Sequence, residues 1–351
     1  MSLSFAHLWQ QLSSNPILAT SLFLTLAVIF VNGWTDAPNA IATAVTTRAL
    51  PVNVAIFLAA ICNFAGVLFF TLGHTGVAQT IYYMVDFSGN TQHASIALCA
   101  ALCAIVLWSV AAWFFGIPTS ESHALIAGLS GAAIALQGGF AGISGGQWLK
   151  VIYGLVFATL CGFLGGFLAA KLTVYCCRRQ DRRRTSSFFR QGQIFTAAAM
   201  AFLHGAQDGQ KFIGVFLLGI CLAQGQTDQT SFFLPLWLPV LCAIIMTFGT
   251  ASGGRRIIKA VGLDMVRLES YQGFAADLAA ATCLFLSTWA GYPVSTTHTK
   301  TTAIMGVGAA RRFSLVNWNI AKEMALAWLC TFPGCGFIGF AAAYLFLPLF
   351  S

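Results

Sequence analysis

Apolar runs of about 20 residues recur along this chain, and no other feature limits its fold so severely. Pro16 to Phe30 carries no charge, and comparable runs cover Asn53–Phe70, Ala94–Phe115, Leu149–Cys177, Phe232–Thr250 and Ile320–Leu347. As a helix, such a run matches the roughly 30 Å of hydrocarbon in a bilayer. In lipid every backbone N–H and C=O must find its partner inside the protein, which leaves helices or a closed barrel. These runs are continuous rather than alternating, so a β-barrel is excluded. The expected fold is all-α: a polytopic membrane protein in the lipid bilayer. Only 8% of residues are charged, against about 25% in soluble domains. The net charge of +8 does not indicate nucleic acid, because most Lys and Arg lie in short segments between the runs. The 11 Cys are scattered with no CxxC and read as small packing residues. No cleavable signal peptide is expected, for want of a basic region before the first run.

Against that background, polar residues inside the runs stand out. Val31-Asn32-Gly33-Trp34-Thr35-Asp36-Ala37-Pro38-Asn39 interrupts the first span. Its Gly and Pro break a helix and free backbone groups. A carboxylate at membrane depth costs roughly 2.5–3.5 kcal/mol, so it is normally matched to a ligand, an ion or a partner charge. A second interruption is expected at His204-Gly205-Ala206-Gln207-Asp208-Gly209-Gln210-Lys211. Two further segments, Gly116-Ile117-Pro118-Thr119-Ser120-Glu121-Ser122-His123 and Gly291-Tyr292-Pro293-Val294-Ser295-Thr296-Thr297-His298, each sit between apolar runs. The flanking runs read either as two full spans or as one re-entrant hairpin. Gly253 to Ser270 is amphipathic and basic, as a helix on the membrane surface would be.

These motifs come in pairs. Gly33-x-x-Asp36 recurs as Gly205-x-x-Asp208, 172 residues later. Gly116-x-Pro118-x-Ser120-x-x-His123 recurs as Gly291-x-Pro293-x-Ser295-x-x-His298, 175 residues later, and Gly131 recurs as Gly306. The chain thus divides into a first transmembrane repeat (1–177), a basic linker (178–193) and a second repeat (194–351). Lys and Arg favour the cytoplasmic side. Placing Arg48, Arg178–Arg190, Arg255, Arg256, Lys259, Arg267, Arg311 and Arg312 there puts both termini outside and makes the repeats antiparallel. Inverted repeats with interrupted helices in corresponding places are the plan of secondary transporters, with the site at the midplane.

The residue types indicate what such a site would hold. Pro118 and Pro293 suit a first helical turn, and Ser120, Ser122, Ser295, Thr296 and Thr297 suit a cap. A half-helix N terminus offers free N–H groups and a positive dipole end, an anion site that needs no cationic side chain. Two of them converging from opposite faces, with these five hydroxyls and Thr119 beside them, fit a small tetrahedral oxyanion. Asp36 and Asp208, with Asn32 and Gln207, suit a hard cation such as Na+, or a proton. Asp277 is a third carboxylate inside a span. His123, His298 and Glu121 are candidate proton carriers. The plainer roles are a carboxylate paired with Lys211, a neutral His bonded to a carbonyl, and hydroxyls bonded to their own backbone.

Asn32-Gly33-x-x-Asp36-Ala37-x-Asn39-Ala40, the His204–Lys211 segment and Pro293-Val294-Ser295-Thr296-Thr297-His298 resemble the signatures of the PiT inorganic phosphate transporters. The resemblance spans nearly the whole chain. It implies cation-coupled import of inorganic phosphate, two re-entrant hairpins and a homodimer in the plasma membrane. It further implies that Asn39 and the Ser/Thr of the paired segments contact phosphate while Asp36 and Asp208 hold Na+ or H+. Asp277 stands where the family has a Glu important for transport. The chain departs from the pattern at Trp34-Thr35, where Ala-Asn is common, at Gln207 for Asn, and at Asn63, acidic in some Na+-driven relatives.

Three other readings compete, the first of them in the same class. A sulfate or other oxyanion permease shares the fold. An intramembrane protease would use Gly142-Ile143-Ser144-Gly145 or an Asp36–Asp208 dyad, but Ser144 falls in a Gly-rich loop and neither Asp follows GxG. A channel is disfavoured because paired helix breaks suit occlusion rather than a continuous pore. No cofactor is expected beyond the co-transported ion.

Overall fold

A computed structural model describes residues 5–87, 90–116, 119–224, 234–253, 258 and 265–350. Helices follow one another as α1 (Phe5–Ser14), α2 (Pro16–Thr35), α3 (Pro38–Thr46) and α4 (Val52–Ala65), the last running on through a π-helical turn, Gly66–Phe70, into α5 (Thr71–Gly73). Then come α6 (Gly76–Tyr82), α7 (Thr91–Phe115), α8 (Glu121–Gln137), α9 (Gly145–Cys177) and α10 (Arg182–Ala223). The chain ends with α11 (Trp237–Ser252), α12 (Ser270–Trp289), α13 (Thr296–Arg311) and α14 (Trp318–Phe350). Among the described residues the one extended pairing is an isolated bridge between Val85 and Ile143. Among the described residues, five stretches are long and apolar enough to cross a bilayer: Pro16–Thr46, Val52–Gly73, Thr91–Phe115, Gly145–Cys177 and Trp318–Phe350. This is an all-α, multi-pass membrane protein.

The first span breaks where the sequence says it should. Pro38 has no N–H to give the Trp34 carbonyl, and the N–H of Asn39 bonds to Asp36 O (3.0 Å) rather than continuing the ladder. The expected interruption at 204–211 is absent: α10 is helical throughout that segment. No Pro removes a donor there. Gly205 and Gly209, read from sequence as breakers, serve packing instead. A Cβ on Gly205 would lie 2.3 Å from the Asn63 carbonyl oxygen, and one on Gly209 2.6 Å from a Val67 methyl. The basic linker is shorter than expected too, because α10 begins at Arg182. The Gly253–Ser270 surface helix falls largely outside the described residues, as do Ile117 and Pro118.

Packing is reciprocal between the two halves. α2 lies on α11 and α10 on α4; α8 lies on α14 and α13 on α9. The last two contacts are built alike. A Cβ on Gly131 of α8 would lie 2.0 Å from the Gly336 carbonyl oxygen, and one on Gly306 of α13 would lie 2.0 Å from that of Phe163. Without a hydrophobic drive between helices in lipid, small residues let backbones close in. α9 supplies them every fourth residue (Gly154, Ala158, Gly162, Gly166, Ala170), all buried. Its opposite face, Leu160, Leu164, Leu168 and Leu172, is exposed and suits acyl chains. The helices α8 and α13 are buried along nearly their whole length. At 17 and 16 residues they extend about 25 Å, short of a bilayer core.

Candidate functional site

The paired Ser motifs fold to the same local geometry. Ser120 caps α8, its Oγ accepting from the His123 N–H at 3.2 Å. Ser295 caps α13 in the same way, accepting from the His298 N–H at 3.2 Å. Gly116 (φ +71°) and Gly291 (φ +73°) both take the left-handed conformation that ends the preceding helix. The two capped turns meet: the rings of His123 and His298 stand edge to face with centroids 4.5 Å apart. Ser120, Ser122, Ser295, Thr296 and Thr297 are all buried; Thr119 is half-buried just before the cap. Two helix N termini, each with amides that lack intrahelical acceptors, therefore face one another inside the protein.

Carboxylates from α10 and from the α2–α3 break close around that meeting point. Asn39 Nδ2 donates to Asp36 Oδ1 (2.6 Å) and to Thr297 Oγ1 (2.9 Å), while Thr297 Oγ1 donates to Asp36. Thr296 Oγ1 donates to both Asp36 Oδ2 (3.3 Å) and Asp208 Oδ2 (3.4 Å). Asn32 Nδ2 reaches Asp208 Oδ2 at 3.2 Å, and its own Oδ1 is buried with no partner among the described residues. Asp36, Asp208 and His204 offer ligand atoms within 4.8 Å of one another, all buried. Lys211 Nζ donates to Asp208 Oδ1 (2.5 Å), Ser122 Oγ (2.5 Å) and Val294 O (2.6 Å). Glu121, the first residue of α8, accepts from Thr35 and leaves Oε2 without a partner among the described residues.

Not every candidate joins the cluster. Asp277 pairs with Lys300 and accepts from Thr43 Oγ1 (2.7 Å), an arrangement that ties α12 and α13 to α3. Gln207 holds a turn rather than the acids: its Nε2 donates to Tyr292 O (2.8 Å) and its Oε1 accepts from Thr288 Oγ1 (2.5 Å). His123 stacks on Phe332 and His298 lies 3.7 Å, centroid to centroid, from Trp328, both rings of α14. Three participants make contacts that the sequence reading did not expect. Thr35 meets Glu121 across 86 residues, which no local pattern reveals. Asn63 orients His204, its Oδ1 lying 2.9 Å from Nδ1. Lys211 was legible as a pairing partner of Asp208, three residues away, but not as the bridge to Ser122.

Comparison with known proteins gives the family of the chain. The description "Phosphate transporter family" matches residues 32–184 and 174–339. Over 324 residues the chain is 38% identical to a "probable low-affinity inorganic phosphate transporter" of Bacillus subtilis (strain 168), covering 92% of this chain and 95% of that one. A protein of the same description from Rhizobium meliloti (strain 1021) is 38% identical over 323 residues, 92% and 94% of the two chains. A solved structure described as "the sodium-dependent phosphate transporter" has the same fold: TM-score 0.85 over 96% of this chain and 100% of that one, at 22% identity. These similarities are to transporters, not enzymes, which sets the protease reading aside. The chain belongs to the phosphate transporter family.

Proposed function

We propose that this protein is a secondary transporter importing inorganic phosphate by symport with a cation, Na+ or H+. The observation that carries the reading is the meeting of two Ser-capped helix N termini beside Asp36 and Asp208. Phosphate is held there by the free amides of α8 and α13, with Ser120, Ser122, Ser295, Thr296, Thr297 and Asn39 as polar partners and Thr119 at the rim. The cation sits at Asp36 and Asp208, near the carbonyls that Pro38 releases from the α2 ladder. His123, His298 and Glu121 are the proton carriers if the driver is H+. Thr296 and Thr297 now donate to the two carboxylates. A cation at the carboxylates would release these hydroxyls to the anion, so filling one site favours the other, which is what symport requires.

Movement follows the reciprocal packing. The halves behave as inverted repeats, α8 and α13 as the inner arms of re-entrant hairpins, and one half rocks against the other around the fixed site. A cavity of about 550 Å³, lined by Thr47, Arg178, Glu269 and Tyr271 among others, opens at the C-terminal end of α3. It offers a vestibule on the basic, cytoplasmic side. Both termini then lie outside the plasma membrane, and the lipid-facing helices leave room for a homodimer. A fold relative described as sodium-dependent favours Na+.

The test is uptake of labelled phosphate into proteoliposomes under an imposed Na+ gradient, an imposed pH gradient, or neither. Uptake driven by one gradient, and resistant to excess sulfate, is the expected result. Uptake that sulfate abolishes would move the protein to the broader oxyanion permeases, and none under either gradient would end the proposal.

A further inference from the structure

Lys211 is fully buried, and its surroundings are unusual for a lysine. An ammonium group has three N–H donors, compact and strongly hydrated in water. Here each finds one oxygen: a carboxylate (Asp208 Oδ1), a hydroxyl (Ser122 Oγ) and a backbone carbonyl (Val294 O), at 2.5, 2.5 and 2.6 Å. That mixture of carboxylate, hydroxyl and carbonyl oxygen is the donor set of a hard cation. The three come from three places, α10, the first turn of α8 and the turn just before α13, so the ammonium bridges the two helix N termini. A buried charge must be matched or it is strongly destabilising, and this one is matched by oxygens that a bare cation would also accept.

Building on the transport reading above, we propose that Lys211 is a tethered cation occupying an alkali-cation position of the site, so that this position takes no Na+ from solution. Asp208 then divides its oxygens between two cations. Oδ1 belongs to the permanent ammonium. Oδ2 faces Asn32, Thr296 and His204, and with Asp36 it forms the place left for the mobile ion. His204, buried, offers a ring nitrogen within 4.8 Å of the ligand oxygens of Asp36 and Asp208, and Asn32, whose Nδ2 donates to Asp208 Oδ2, keeps a buried Oδ1 without a hydrogen-bond partner among the described residues. Lys211 thereby sets how many cations accompany each phosphate, and it keeps Ser122 and Val294 drawn together whether or not a mobile ion is bound.

Removing the side chain should open the position. The purified Lys211→Ala protein is expected to bind one more radioactive Na+ per chain at saturation than the unsubstituted protein. On replacing choline chloride with NaCl, its melting temperature in detergent should rise several degrees more than that of the unsubstituted protein, as binding of a further ion to the folded state requires. Lys211→Arg, which keeps a cation there, should gain neither property. A double Asp208→Leu/Lys211→Leu variant removes host and guest together and should also gain neither. Equal Na+ binding in Lys211→Ala and the unsubstituted protein would overturn the inference. So would a Lys211→Ala protein that fails to fold in NaCl as well as in choline chloride, since a position that Na+ can fill must be rescued by Na+. The unsubstituted protein, assayed for gradient-driven phosphate uptake in parallel, separates the two claims: no uptake there sinks the transport reading, whereas normal uptake with no extra Na+ in the variant sinks only the role of Lys211.

Discussion

The first long helix of each half carries a Gly-x-x-Asp motif, yet the two are built differently. In the first half, α2 stops at Thr35 and α3 restarts at Pro38, leaving Asp36 at a gap in the hydrogen-bond ladder. In the second, α10 runs unbroken through Asp208 and places Lys211 one turn on. The first solution supplies loose carbonyls beside a carboxylate, whereas the second supplies a fixed ammonium against one. A carboxylate inside a membrane has to be compensated, and this protein does so once with backbone and once with a side chain. On the proposed reading the contrast gives the two acids unequal work: Asp36 would serve a mobile ion, and Asp208 both that ion and the lysine.

The largest difference should appear in stability. Asp208→Asn strands Lys211 and should cost about 3–5 kcal/mol, the usual penalty for breaking a buried pair from one side. Asp277→Asn, which strands Lys300, should cost about the same. Asp36→Asn strands no lysine and should leave thermal unfolding in detergent within about 1 kcal/mol of the unsubstituted protein. Equal losses at Asp36 and Asp208 would erase the contrast. Uptake separates the sites next: Asp36→Asn should lower initial phosphate uptake by at least about 100-fold, near 2.7 kcal/mol, while folding stays intact.

Pro38→Ala mends the first break by restoring a backbone donor. Uptake is expected to fall roughly tenfold, about 1.4 kcal/mol, with stability unchanged or raised, since a proline that interrupts a helix has been removed. Unaltered uptake would mean that the gap has no part in cation binding. The smallest effects should be matched ones. Ser120→Ala and Ser295→Ala each remove one helix cap, about 1 kcal/mol, and should raise the KM for phosphate about fivefold to similar extents. A large asymmetry between them would show that the two N termini do not contribute alike.

How much of this was legible beforehand follows from which interactions are local. The Ser120 and Ser295 caps, with Gly116 and Gly291 before them, are set by a few neighbouring residues, and the recurring spacing displayed them directly. Pro38 marked the first break for the same reason: a missing N–H acts on its own turn. The 204–211 segment misled because glycine is ambiguous. It weakens an isolated helix, yet it is what permits α4 to press Asn63 against Gly205, and only the neighbour reveals which applies. Partners separated by long stretches of chain, Thr35 with Glu121 or Asn39 with Thr297, were beyond any local pattern. Lys300, buried against Asp277 and Thr43 of two other helices, was equally beyond local pattern.

The central claim is that phosphate sits between the first turns of α8 and α13. Anomalous diffraction from crystals grown with arsenate, which has the shape and charge of phosphate, tests it without relying on activity. The account predicts a single strong arsenic peak within hydrogen-bonding reach of the amides and hydroxyls at Ser120–Ser122 and Ser295–Thr297. A peak bound elsewhere, with that position unfilled, would contradict it.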